Sequence, residues 1–113
     1  MNRKTRFISW NVRGLGRNKK CTDVKAALFG LDPSFICLQE TKMMTFDATT
    51  LKSLCPKRFD TYASIPSIGA SGGLVMIWNS SVFTSSVVIE EQFALGLNFT
   101  STQNAHSWNL VNI

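Results

Sequence analysis

Several things are scarce in this sequence, and each shortage narrows its chemistry. Cys21, Cys37 and Cys55 are odd in number, widely spaced and without a C-x-x-C pair, which argues against a disulfide framework and against a cysteine zinc site. A reducing compartment fits them. Cys37 lies inside an apolar run and reads as a small buried hydrophobe rather than a nucleophile. No apolar stretch approaches the roughly 20 residues of a membrane span, and the N-terminus lacks the apolar core of a secretory signal. The expectation is a soluble intracellular protein of nucleus or cytoplasm, neither secreted nor membrane-bound, in which the sequons at Asn79 and Asn98 are chance matches. Internal repeats, low-complexity segments and linkers are missing as well.

Acidic residues are missing from the first 20 positions. Arg3, Lys4, Arg6, Arg13, Arg17, Lys19 and Lys20 give that stretch +7, while the other five basic residues against seven acidic ones leave the remainder at −2 and the whole at +5. Such a patch attracts phosphate backbones through charge neutralisation and counterion release. Its plain alternative is a solvated terminus and loop.

What is present is apolar material in short runs. Hydrophobic residues make up 44% of the 113 and charged residues 17%, a composition of one small folded domain rather than a disordered chain. Thr5 to Trp10 reads as a short buried strand, followed by a loop, "RGLGRNKK". Val24, Ala27, Leu28 and Leu31 recur at helical spacing, which predicts a helix over Thr22 to Phe29 with Gly30 at its end. "DPS" marks a turn, and "FICL" is a second strand that ends in Gln39 and Glu40. A right-handed crossover makes these two strands parallel, so Asn11 and Glu40 come to the same edge of the sheet. A carboxamide beside a carboxylate is a seat for a hard cation, although both residues also suit plain strand ends.

Phe46 to Leu54 reads as a second helix stopped by Pro56. Beyond it the period becomes strand-like, in "FDTYAS", "LVMIWN", "FTSSVVI", "FALGLNFTS" and "SWNLVNI", with alternation at Phe93, Leu95, Leu97 and Phe99. These read as antiparallel strands. "GASGG" at 69 to 73 matches the G-x-S-x-G nucleophile elbow, but a strand rather than a helix follows Ser71 and no aspartate follows to complete a triad with His106. Its glycines read as a tight or phosphate-approaching loop, and His106 as a residue at a hairpin tip.

Taken together and in order, "ISWNVRGLG", "ICLQETK", "GASGGLVMIWN" and "WNLVNI" resemble the endonuclease/exonuclease/phosphatase superfamily, the deoxyribonuclease-I-like fold. The narrower resemblance is to the endonuclease domain of plant non-LTR (LINE-type) retrotransposon polyproteins. It implies an α/β fold, the N-terminal half of a two-sheet sandwich, with residues 1–113 forming a domain truncated at the C-terminus. The implied activity is magnesium-dependent hydrolysis of phosphodiester bonds in DNA, or RNA, with a C-terminal half-domain and a downstream reverse transcriptase as partners. Carried over by motif, Asn11 organises the site and Glu40 binds Mg2+. Gln39, Thr41 and Lys42 support the site or face phosphates, and Arg13, Arg17, Lys19, Lys20 and Lys42 contact nucleic acid. Arg13 stands where some superfamily members carry an acidic residue.

The resemblance also implies that an aspartate and a histidine beyond Ile113 activate the attacking water, so the isolated chain is expected to be inactive. Each half of the family's sequence is expected to supply most of one sheet, leaving an apolar sheet face uncovered here. The alternatives are a non-catalytic nucleic-acid-binding remnant using the basic N-terminal loop, or another phosphoesterase of the superfamily.

Overall fold

The computed structural model describes residues 5–113, so Arg3 and Lys4 of the basic stretch lie outside the described residues. Strand β1 (Phe7–Asn11), helix α1 (Asn18–Leu31) and strand β2 (Phe35–Gln39) form a crossover unit whose strands pair in parallel. Helix α2 (Ala48–Leu54) leads to β3 (Thr61–Ile65) and β4 (Leu74–Trp78), which complete a sheet of order β1-β2-β4-β3. β5 (Phe83–Glu91), β6 (Ala94–Ser101) and β7 (Ser107–Asn112) form a second, antiparallel sheet of order β5-β6-β7.

The continuous apolar runs of β2 and β4 follow from their place in the middle layer, where both faces of a strand are covered. Ile36, Leu38, Val75 and Ile77 pack under the helices with Val24, Leu28, Leu51 and Leu54. Phe35, Cys37, Leu74, Met76 and Trp78 face the second sheet and meet Phe83, Leu95, Leu97 and Phe99. Phe35 anchors that layer, its ring centroid 4.3 Å from Phe83 and 4.5 Å from Phe99. Full burial of such side chains contributes about 1.5–3 kcal/mol each.

This arrangement corrects the expectation of an uncovered sheet face. The chain contributes to both sheets, and the run from Phe83 to Asn112 folds back over β2 and β4 because those strands are apolar on both sides. What remains open in the middle layer is the face of its outermost strand β1, where Phe7, Ser9 and Asn11 are exposed.

The helices differ from the sequence reading in their bounds. α1 begins at Asn18, so Lys19 and Lys20 are helical rather than part of the loop, and Gly30 lies inside the helix. Asp32, at φ 48°, closes it in the left-handed conformation. The buried stripe is Cys21, Val24 and Leu28, whereas Leu31 is 53% exposed, because the helix end projects past the sheet. α2 starts after Asp47, whose Oδ1 accepts a hydrogen bond from Thr50 N at 2.9 Å. Phe46 is outside that helix, buried against the Tyr62 ring at 5.0 Å. Phe93, read as part of the alternation, is 61% exposed in the β5–β6 turn. Among the described residues no helix is long and apolar enough to cross a membrane.

Candidate metal and phosphate site

The parallel register sets Asn11 opposite Gln39, which brings Asn11 and Glu40 to the carboxyl-end rim of neighbouring strands. Pairing does not stop where the strands do. Val12 N donates to Gln39 O at 3.0 Å, Gly14 N to Glu40 O at 2.8 Å and Leu15 N to Thr41 O at 3.0 Å. From the other side Thr41 N donates to Gly73 O at 3.2 Å and Lys42 N to Gly72 O at 2.9 Å. Residues 40–42 are thus clamped between the loop after β1 and the glycine loop before β4.

The clamp holds backbone that would not persist alone. Arg13, Glu40 and Lys42 have φ of 53°, 52° and 54°, a left-handed conformation that costs a non-glycine residue of order 1–3 kcal/mol and collects at binding and catalytic positions. Gly73, at φ 94°, explains the second glycine of "SGG": a Cβ there would stand 2.1 Å from Thr41 Oγ1. Thr41 is only 2% exposed and packs against Gly73, so of the two roles read from the sequence it takes the supporting one and not the phosphate contact.

Beneath the rim lies a polar junction. Gln39 Nε2 donates to Asn112 Oδ1 at 2.7 Å and to Ser9 Oγ at 3.0 Å, while Asn112 Nδ2 donates to Leu38 O and Val75 O, each at 3.1 Å. Asn112, 2% exposed, is a supporting residue that sequence reasoning missed. The available signal was parity, since Asn112 shares the inward face of β7 with Trp108 and Leu110 yet is polar.

At the surface of the rim the groups are available for ligands. Asn11 Oδ1 accepts from Arg13 N at 3.2 Å and keeps a second lone pair. Glu40 is exposed, and its carboxylate makes no ion pair among the described residues, where the single salt bridge joins Arg58 to Asp32. Arg13 and Lys42 are exposed beside it, with the Lys42 stem close over Gly14. Arg17 caps α1 and Lys19 and Lys20 occupy its first turn, which contains no acidic residue. That end of a helix carries partial positive charge, so the basic side chains add to a field that favours anions.

Among the described residues no three of His, Cys, Asp and Glu come together as a metal cluster. The donor set at the rim, one carboxylate and one carboxamide, fits a magnesium ion that keeps most of its waters and falls short of an all-protein cage. Ser71 and His106 lie at opposite ends of the strands. Ser71 sits in the glycine loop near the rim and precedes a strand, whereas His106 is exposed before β7, in a cleft with Thr5, Arg6 and Ser34. No serine-histidine chemistry arises from that pair.

No protein-family model matches the sequence, and no curated protein matches it. Solved structures do. The AP endonuclease LMAP from Leishmania major superposes with a TM-score of 0.74 at 20% identity, over 96% of this chain and 39% of that one. The fold is that of part of an AP endonuclease. The catalytic domain of Xenopus laevis APE2 matches with a TM-score of 0.52 at 27% identity, over 74% of this chain and 26% of that one. The chain therefore spans about two-fifths of the Leishmania AP endonuclease that it resembles, and the likeness in fold runs over most of this chain's own length.

Proposed function

We propose that this chain is the metal- and phosphate-binding part of a magnesium-dependent phosphodiesterase that acts on DNA. One observation carries the reading: Glu40 is an exposed carboxylate with no ion pair among the described residues, held in left-handed backbone by loops on both sides, next to Asn11 and flanked by Arg13 and Lys42. A strained acidic residue at the carboxyl-end rim of an α/β sheet is placed for a ligand, not for stability. Magnesium bound there would polarise a phosphoryl oxygen and neutralise developing charge. Glu40 and Asn11 would hold the ion and orient its waters, and Arg13, Arg17, Lys19, Lys20 and Lys42 would receive the phosphates on either side.

The likeness to two AP endonucleases supports a DNA substrate. The finer assignment, to a retrotransposon-type endonuclease, rests on "SGGL" followed by a strand and Trp78 in "GASGGLVMIWN". Asn11 and Glu40 are assigned to the ion, and no residue is assigned here as the general base. A non-catalytic reading, nucleic-acid binding alone, draws on the same basic residues.

The test is a magnesium titration of the 15N-labelled chain followed by NMR, run beside a plasmid-nicking assay. Magnesium at millimolar concentration should shift the amides of Asn11, Arg13 and Glu40, and Glu40→Ala should abolish the shifts. The chain alone should not nick plasmid. Shifts that survive in Glu40→Ala, or none at all, would remove the metal from the proposal and leave the binding module.

A further inference from the structure

A carboxamide has an accepting end and a donating end, and the polar junction beneath the rim determines which way its two amides are turned. Asn112 is the fixed point. Its side-chain nitrogen lies 3.1 Å from both Leu38 O and Val75 O, and backbone carbonyls only accept, so Nδ2 faces them and spends both of its hydrogens. Asn112 Oδ1 is thereby turned to Gln39. An oxygen at 2.7 Å needs a donor, so the end of Gln39 that meets it is Nε2. Reversing either amide would set oxygen against oxygen in a junction where Asn112 is only 2% exposed.

The other partners of Gln39 Nε2 hold it in the same sense. They are Ser9 Oγ at 3.0 Å and Cys37 O at 3.4 Å, and Ser9 and Cys37 are paired two positions back from the rim. The nitrogen end therefore points away from the rim, and the oxygen end is left on the side of Asn11, which stands opposite Gln39 in the register. Gln39 Oε1 accepts no hydrogen bond among the described residues, yet the buried side-chain polar atoms without a partner there are Ser67 Oγ and Trp108 Nε1, so this oxygen is open to solvent. Asn11 is oriented in a similar way: the backbone N–H of Arg13 at 3.2 Å fixes the position of its Oδ1.

We propose that Gln39 Oε1 belongs to the seat of the cation as an acceptor for its waters, and that Asn112 is the positioning residue that keeps Gln39 turned that way. The proposal rests on the metal reading of Glu40 and Asn11. A magnesium ion held by one or two protein groups keeps several waters, and those waters present hydrogens outward. Carbonyl oxygens complement such a shell, whereas an amide N–H turned to it would set donor against donor. A residue that only tied the two sheets together would need Nε2 alone. Glutamine supplies both ends: it donates to Asn112 below and offers an acceptor at the rim. Two buried backbone carbonyls, acting through two side chains, thus set the polarity of the surface that the hydrated ion meets.

The experiment is a magnesium titration of the full 113-residue chain, labelled with 13C and 15N and followed at the Gln39 side chain. The Gln39 13Cδ resonance should move along the same binding curve as the Glu40 amide, while the Nε2 hydrogens stay protected from exchange. Gln39→Met keeps the length of the side chain without its oxygen and should weaken magnesium about tenfold; Asn112→Ala keeps the oxygen but frees its orientation and should weaken it about fivefold. Leu54→Ala truncates a fully buried side chain of α2, controls for lost stability, and should bind magnesium as the unaltered chain does. Where a variant does not fold, the Gln39 resonances of the unaltered chain decide alone. Glu40-dependent shifts with an unmoved Gln39 13Cδ, or with unchanged affinity in folded Gln39→Met and Asn112→Ala, would overturn the proposal and leave the metal reading standing, with Gln39 a tie between sheets. The absence of any Glu40-dependent shift would overturn both.

Discussion

Gln39 and Asn112 are 73 residues apart in sequence and joined by a 2.7 Å hydrogen bond between the two sheets. The same asparagine donates to carbonyls of β2 and β4, so one side chain ties three strands together directly under Glu40. Asn112→Val keeps approximate volume but leaves Gln39 Nε2 without its shortest bond and removes the amide that donates to the Leu38 and Val75 carbonyls. A loss of about 2 kcal/mol is expected, measured by urea unfolding. Loss of less than a few tenths of a kcal/mol would show that water replaces the amide.

Gly73→Ala should be among the most damaging single changes in the chain. It places a methyl 2.1 Å from Thr41 Oγ1 at a φ of 94°, and both the clash and the backbone strain act together. About 3 kcal/mol or more of stability should be lost. Adding Thr41→Gly removes the clash but not the strain, so the double variant should regain part of the loss. A strictly additive double variant would mean that the two residues do not meet as described.

Glu40→Gly separates stability from binding. Glycine adopts the 52° φ of this position without steric cost, so thermal unfolding should show a chain at least as stable as the original. The magnesium-dependent amide shifts should disappear. A substantial drop in melting temperature would assign Glu40 a structural role.

Alkaline pH should weaken the fold through its buried thiols. Burial pushes Cys37 from 9.0 up to about 11 and Cys55 up to about 12. Below about pH 9 both thiols are protonated in either state; above it the unfolded chain loses protons that the folded chain retains, so stability falls as pH rises toward 11 and beyond. At the acid end, hydrogen bonds from Ser80 hold the Asp60 carboxyl below its usual range, and that contribution disappears as pH falls through the depressed value. Urea titrations at pH 7, 9 and 10.5 check the alkaline limb, and Cys37→Ala with Cys55→Ala should flatten it.

Binding to duplex DNA, where it occurs, should be dominated by phosphates. Replacing Arg13, Arg17, Lys19 and Lys20 with alanine should reduce the slope of log affinity against log salt by roughly 3.6, with little dependence on base sequence. Fluorescence anisotropy at several salt concentrations gives that slope. An unchanged slope would move the phosphate contacts elsewhere.

The strand-helix-strand order, the parallel pairing that aligns Asn11 with Glu40, and the five later strands are all legible from the sequence, because they depend on local apolar periodicity and short connections. Periodicity reports which face of a segment avoids water but not what covers it. For that reason "FICL" and "LVMIW" read correctly as buried strands, while the placement of Phe83 to Asn112 above them, both sheets within one chain, emerged only in three dimensions. Thr41 shows the same limit: its neighbours in sequence are ligand-like, and only the close approach of Gly73 turns it inward. Asn112 was visible as a polar residue on an apolar strand face, but its partners lie 37 to 74 residues away, where no local pattern reaches. The sequence by itself determined the elements and the two residues at the rim; tertiary packing decided the strained loops that present Glu40 and the asparagine beneath it, because each arises from contacts between segments that are distant along the chain.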